Sequence, residues 1–314
     1  MTYENIPVIK KAVKAMGGKI TPISPVRFAY EISYKNKKFS IISKFAIKSN
    51  LAVSPLWARY KDLTDYALKR QGIRTPKAIL ITEKYSPAQI LRLAKRLSSP
   101  FVIKDAQGSE SKGIFMNIKS LKQALRVIRK NIKKYKYLII QEMTQGNEFR
   151  VLLLGQKILG VLRLIPPHVI GDGRSKTADL IRKKQRHAKE KTPFCAELEE
   201  LLGDQGEKLI SVPKKGKRVF LRKNSCLAEG GMSVECTKDI SPRLAKICFR
   251  AAESVGLQLA GIDLICEDIH TGERDYQIID INGKPDIWIH HHPTFGEPRN
   301  VTKEIIEYIV RKVL

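Results

Sequence analysis

Acidic residues are scarce in this 314-residue chain: 31 Asp and Glu stand against 58 Lys and Arg, a formal net charge of +27. Cysteine is sparse too. The five present (Cys195, Cys226, Cys236, Cys248 and Cys266) are odd in number and none forms a C-x-x-C pair. That excludes a disulfide framework and a zinc knuckle, and fits a reducing compartment. No apolar run approaches the roughly 18 to 20 residues that span a bilayer, and the opening MTYENIPVIKKAVKAMGG has no apolar core of a secretory signal. The expectation is a cytoplasmic protein. Aromatics make up only 7% of the chain, which leaves few stacking platforms for single-stranded nucleic acid. No repeat or low-complexity tract is present.

What is there suffices for a globular core. Hydrophobic residues are 43% of the chain, enough for one large core or two to three smaller subdomains. The charge is uneven: residues 1–100 hold 20 basic and 5 acidic side chains, residues 101–200 hold 21 and 10, and residues 201–314 hold 17 and 16. A lysine-rich solvated face accounts for this, as does steering of polyanionic ligands, nucleotide triphosphates included.

Apolar spacing predicts an amphipathic N-terminal helix and a hairpin of FAYEISY and FSIISKFA about KNKK. It then predicts one helix through LWARYKDLTDYALKRQGI closed by Gly72, strand KAILI, a helix opened by Ser86-Pro87, and strand FVIKDAQG. Next come helix SLKQALRVIRKNIKKY, strand YLIIQEM and a hairpin EFRVLLLGQKILGVLRLI turning at Gly155-Gln156. A charged helical stretch near 175–206 reads as an insertion or lid, followed by strand RVFLRKN, helix PRLAKICFRAAESVG, paired strands LAGIDLICED and YQIIDING, and a closing helix. Helices mixed with hairpins predict an α+β, or mixed α/β, fold with mostly antiparallel sheets, not a doubly wound nucleotide fold.

Three segments can carry chemistry. Lys104 leaves the apolar strand FVIK into DAQGSESKGI, where small residues would let backbone N–H groups approach phosphate oxygens; the ordinary alternative is a solvated strand-edge lysine and a turn. Gln141-Glu142-Met143, with Glu148 beyond Gly146, could offer backbone groups to an adenine edge and a carboxylate to ribose; the alternative is a plain β-turn. Asp263, Asp280 and Asn282 would converge if GIDLICED pairs with IIDIN, with Asp280 and Asn282 on one face. Carboxylates on apolar strands are costly unless paired or coordinated, and oxygen ligands of this kind suit Mg2+.

In this order and spacing the segments resemble the ATP-grasp superfamily of carboxylate–amine ligases, most of all the ATP-grasp module of cyanophycin synthetase and its relatives in bifunctional glutathione synthetases. The resemblance runs from about Lys37 to the C-terminus, through PFVIKDAQGSESKGI, GNEFRVLLLG, HVIGDGRS, VFLRKNSCLAEGG, IIDINGKP and GEPRNV. It implies a small region over 1–74, a small ATP-grasp subdomain over 75–145 and a large one over 146–314. It implies ATP and Mg2+, two ions, as cofactors. Lys61 and Lys104 would hold ATP phosphates, and Gly108, Ser109, Ser111 and Gly113 would belong to a mobile phosphate loop. Glu142 and Met143 would form the adenine hinge and Glu148 would bind ribose. Arg150 would be a further phosphate or carboxylate ligand, and Arg222, on the LRKN strand, would stabilise the transferring phosphoryl group. Asp263, Asp280 and Asn282 would hold the metal. The implied activity joins an amino acid or peptide carboxylate to an amine through an acyl phosphate, in a protein that can be a homodimer.

Departures lie at Asp280, where the family carries glutamate, at Ser111 in place of glycine, and at Pro285-Asp286 in place of Pro-Gly. On an extended segment His290 and His292 would share a face and His291 would point away, so the three could not bind one ion without a turn; ordinary structural roles and the wall of a substrate pocket both stay open for them. The competing reading is a basic polyanion- or nucleic-acid-binding protein on an inactive ATP-grasp scaffold.

Overall fold

The computed structural model describes residues 5–24, 29–42, 54–108, 113–187, 194–272 and 274–312. In chain order the elements begin with α1 (Asn5–Ala15), β1 (Lys19–Ser24), β2 (Ala29–Tyr34), β3 (Lys37–Ile42), α2 (Ser54–Arg59), α3 (Lys61–Arg70) and β4 (Ala78–Thr82). They continue with α4 (Pro87–Ala94), β5 (Phe101–Asp105), β6 (Ile114–Ile118), α5 (Leu121–Tyr135), β7 (Tyr137–Glu142), β8 (Asn147–Leu154), β9 (Lys157–Ile165) and β10 (His168–Ile170). The remainder are α6 (Thr177–Lys184), α7 (Ala196–Asp204), β11 (Arg218–Phe220), β12 (Met232–Glu235), α8 (Pro242–Ser254), β13 (Leu259–Cys266), β14 (Gln277–Asn282), α9 (Trp288–His291) and α10 (Val301–Lys312).

The fold is α+β, and its sheets are antiparallel throughout. A four-stranded sheet, β4-β7-β5-β6, carries α4 and α5 on one face, where Ile81, Phe101, Ile103, Leu138 and Ile140 pack with Ile90, Ala124 and Ile128. Its other face carries Val102, Lys104, Ile139 and Gln141, because side chains alternate along a strand. A five-stranded sheet, β12-β9-β8-β13-β14, buries Phe149, Val151, Ile262, Leu264 and Ile278 against Leu244, Cys248, Ala251 and Ala252 of α8. Its opposite face is split along its length. Leu152, Leu154 and Leu259 pack beneath α1 and α10, while the end bearing Glu148, Arg150 and Asp263 faces the four-stranded sheet.

Local chemistry sets several boundaries. Ser86 opens α4 with a full capping box to Gln89 and Pro87 in the first turn. Lys35 and Asn36 both adopt positive φ, which gives the β2–β3 hairpin the twist of a two-residue loop. Gly146 sits at φ 125, and a Cβ there would lie 2.9 Å from the Cys266 backbone, so only glycine lets β8 begin beside β13.

Several expectations change. The helix expected through residues 56–73 breaks at Tyr60, whose extended backbone separates α2 from α3 and starts a new helix at Lys61. Strands β1, β6 and β12 carry too little alternation to be read from sequence, and pairing alone brings them into sheets. The RVFLRKN strand ends at Phe220, so Arg222 lies in the loop beyond it. The histidine segment is not extended: it forms the single turn α9, held by Asn5 Oδ1, which accepts from the Ile287 and Trp288 amides at 3.2 and 3.0 Å. No helix among the described residues is long and apolar enough to cross a membrane.

Ile262 occupies the centre of β13, fully buried and paired with β8 and β14 at once. Ile262→Ala is expected to lower unfolding stability by about 2 to 5 kcal/mol in urea titrations.

Candidate functional site

The site is a row across three neighbouring strands. Arg150 on β8 stands opposite Asp263 on β13, and Asp263 stands opposite Asp280 on β14. Directly opposed residues share a face, so the three side chains emerge side by side. Arg150 grips both oxygens of Asp263 through Nε and Nη2, the latter at 2.9 Å. Lys61, at the start of α3, donates to Asp280 Oδ2 at 2.8 Å, and the Ile281 amide donates to Asp280 Oδ1 at 3.1 Å. Asn282 donates to Asp263 Oδ2 at 3.2 Å. Burial raises the Asp263 carboxyl above its ordinary value, against the pull of Arg150.

A β-bulge beside this row puts the last cation in place. Register slips between Asp263 and Leu264, which leaves Ile279 without a cross-strand partner. The freed Ile279 carbonyl accepts from Lys104 Nζ at 3.1 Å, across the gap from the four-stranded sheet. Burial lowers the Lys104 ammonium to about 8; Asp280 works to raise it, and Lys61 to lower it further. Lys61, Lys104, Gln141 and Asp280 thus line one cleft between the two sheets.

Glu148 lies two residues before Arg150 on the same face. Burial pushes its carboxyl up to about 7, with Asp263 adding to the rise, while a hydrogen bond from Ser225 and the Arg150 charge oppose it. The loop that supplies Ser225 also carries Arg222, whose Nη1 pairs with Glu229 at 2.9 Å. Arg222 Nε and Asn224 Oδ1 are buried with no hydrogen-bond partner among the described residues, so a donor and an acceptor are available to a ligand.

The structure brings Lys61, Lys104 and Asp280 to the lining of one cleft, with Asp263, Arg150 and Asn282 joined to Asp280 along the strand row and Glu148 on the same face, hydrogen-bonded by Ser225 of the loop that carries Arg222. It does not bring Glu142 there. β7 turns Glu142 toward the helix side, where its carboxylate accepts from the Ser98 amide at 2.9 Å and its own amide bonds Lys77. Met143 spends its amide on the Pro100 carbonyl at 2.9 Å. Gln141 is the buried polar residue on the cleft face, and alternation along YLIIQE could have picked it out. Of the expected phosphate loop, Gly108 and Gly113 flank its ends, Gly113 at φ 73 against the Tyr135 ring; Ser109 and Ser111 lie outside the described residues.

The oxygen-rich donor set of Asp263, Asp280 and Asn282 fits Mg2+, which typically takes one or two carboxylates from protein. Among the described residues no group of three His, Cys, Asp or Glu side chains converges on a metal position, so the histidines build no site of their own. His290 is buried over Gly160, where a Cβ would lie 2.5 Å from its Nδ1. Burial, with the nearby Arg150 charge, drives it down to about 3. His291 Nε2 meets Thr302 Oγ1 at 2.7 Å and the Thr302 amide at 3.4 Å, capping the start of α10, and burial drives it to about 4. His292 packs against the Trp288 ring at 4.6 Å.

A family profile described as a RimK-like ATP-grasp domain matches residues 58–177. Cyanophycin synthetase of Nostoc sp. is 28% identical over 295 residues, covering 90% of this chain and 32% of that protein. Glutathione biosynthesis bifunctional protein GshAB of Clostridium perfringens is 32% identical over 183 residues, covering 55% of this chain and 24% of that one. Among solved structures, a bifunctional glutathione synthetase from Pasteurella multocida superposes with a TM-score of 0.66 at 21% identity, over 95% of this chain and 44% of that one. The chain spans a third or less of the length of these two curated relatives.

Two outcomes check this geometry. Gly160→Ala should displace the His290 ring and cost about 1 to 3 kcal/mol in denaturant unfolding, as overpacking does. His290 and His291 have folded pKa values below the ordinary 6.5, so the stability they support is complete above that pH and drains as pH falls toward 4. Melting temperature should therefore drop between pH 6.5 and 4 in the wild type and drop less in His290→Asn; equal slopes would remove His290 as the source.

Proposed function

We propose that this chain, which carries a RimK-like ATP-grasp domain on an ATP-grasp fold, is an ATP- and Mg2+-dependent carboxylate–amine ligase. The observation that carries the reading is the row in which Arg150 and Lys61 neutralise Asp263 and Asp280 beside Lys104. One buried and one half-buried carboxylate, held by cations on a strand and a helix start, make a preformed binding geometry. A polyanion-binding surface needs none of them.

In this reading residues 75–145 form the small subdomain and 146–314 the large one, with the nucleotide between them. Lys61 and Lys104 exchange their present acceptors, Asp280 and the Ile279 carbonyl, for phosphate oxygens. Glu148 takes the ribose hydroxyls, and Gln141, in place of Glu142, faces the base. Asp263, Asp280 and Asn282 would hold the metal, which supplies charge neutralisation at the transferring phosphoryl group. Asp280 is one methylene shorter than the glutamate usual in the family, so its carboxylate reaches less far from the strand.

The chain's own part in catalysis is positioning and electrostatics. Arg150 orients Asp263 by a two-pronged grip, which a lysine could not reproduce. Arg222 keeps one edge on Glu229 and presents its unpartnered Nε to charge developing on the transferred phosphoryl. The substrate carboxylate attacks the γ-phosphorus, ADP leaves, and the amine then displaces phosphate from the acyl phosphate to form the amide. An amino acid or peptide supplies the carboxylate.

The test is ADP release with Mg-ATP over a panel of amino acids and dipeptides. Release should require a carboxylate and an amine together, and Lys104→Met or Asp280→Asn should lower kcat by at least about 100-fold, as for loss of a transition-state charge partner. Failure of every pair to stimulate release, together with no thermal shift on adding Mg-ATP, would overturn the reading.

A further inference from the structure

An ionic junction away from the cleft's carboxylates gathers on Asp204, the last residue of α7. Its Oδ1 accepts from Lys119 Nζ at 2.7 Å; its Oδ2 accepts from Asn117 Nδ2 at 3.0 Å and from Lys223 Nζ at 3.3 Å. Glu200 adds a second carboxylate to Lys119 at 3.1 Å. Glu197 feels the charge of Lys130 on α5. Glu197, Glu200 and Asp204 are spaced i, i+3, i+7, so one acidic stripe of α7 lies against the basic β6–α5 edge of the four-stranded sheet.

The placement is not one a helix favours by itself. A carboxylate in the last turn meets the negative end of the helix dipole, and α7 has no basic residue there. Donors from elsewhere compensate, Lys119 foremost, and hold the Asp204 carboxyl down at about 2. Those donors come from two places that matter to the nucleotide. Asn117 is in β6, which leaves the phosphate-loop segment at Ile114, and Lys119 follows it directly. Lys223 is the neighbour of Arg222. The next residue, Gln205, clamps both backbone groups of Phe220 at 2.8 and 2.9 Å, two positions before Arg222.

We propose that Asp204 is a positioning residue: by joining β6 to the Arg222 loop through α7, it fixes the place of Arg222 relative to the four-stranded sheet. The proposal rests on the ligase reading for its catalytic consequence and on geometry alone for the junction. The side chains are 49% exposed at Lys119, 30% at Asp204 and 24% at Lys223, so the junction is open to salt.

The experiment compares the full chain with Asp204→Asn, Asp204→Glu, Lys223→Met and the Asp204→Asn/Lys223→Met pair. With Mg-ATP and an active substrate pair, Asp204→Asn should lower kcat roughly tenfold, as a small misplacement of a catalytic group does, with a smaller change in KM for ATP. Asp204→Glu should recover most of the loss. The double variant should be no slower than Asp204→Asn, because both changes cut one connection. Salt near 1 M should slow the wild type toward Asp204→Asn and leave that variant unaffected. Without nucleotide, amides of β6 and of residues 221–225 should exchange with solvent faster in Asp204→Asn. Should Asp204→Asn fold poorly, Lys223→Met, which leaves the bonds from 117 and 119 intact, carries the same kcat and exchange comparison for the Arg222 loop. Wild-type kcat in Asp204→Asn or Lys223→Met, additive losses in the double variant, or unchanged exchange at both segments would overturn the junction. Absence of ADP release from the wild type would overturn the ligase reading, and the exchange comparison would then decide the junction without it.

Discussion

Asp263 and Asp280 stand opposite each other on adjacent strands, and an uncompensated carboxylate taken out of water costs on the order of several kcal/mol. Much of the surrounding architecture supplies the compensation. Arg150 reaches Asp263 from the next strand, Lys61 reaches Asp280 from the start of a helix, and Lys104 arrives from a different sheet through the bulge at Ile279. Each cation comes from a separate element. The break at Tyr60, the register slip in β13–β14 and the approach of the two sheets therefore share one physical cause. The cluster is thereby balanced within the protein, Arg150 against Asp263 and Lys61 against Asp280.

The hairpins and amphipathic helices were legible because periods of 2 and 3.6 survive in the apolar residues. FVIK, YLIIQE and LAGIDLIC show their burial in composition alone. Strands β1, β6 and β12 are not legible that way: KITPIS, IFMNI and MSVE are short and lack a clear alternation; β1 and β6 are held by the neighbouring strands β2 and β5, and β12 by β9, nearly seventy residues earlier. Arg222 illustrates the limit at a single residue. RVFLRKN reads as one strand, yet β11 ends at Phe220 because pairing with β10 covers only three positions.

The histidines show how a conspicuous motif divides into unrelated duties. His291 caps α10, His292 packs on Trp288, and His290 fills the space that Gly160 leaves above the sheet. A one-turn helix fixed by Asn5, more than 280 residues away, distributes the three rings in different directions. Nothing within HHH encodes that, since the capping group comes from the far end of the chain.

From its sequence alone this chain determines which residues can pair charge on apolar strands, because a lone Asp among Ile and Leu is costly wherever the strand is buried. It likewise determines the α+β class, through the periodicity of its apolar residues. Only the tertiary structure decides which carboxylate each cation meets, that Gln141 and not Glu142 faces the cleft, and that Asp204 joins α7 to both β6 and the Arg222 loop. The physical reason is that these contacts depend on strand register and on the approach of separate layers, which are properties of the packed chain and not of any segment within it.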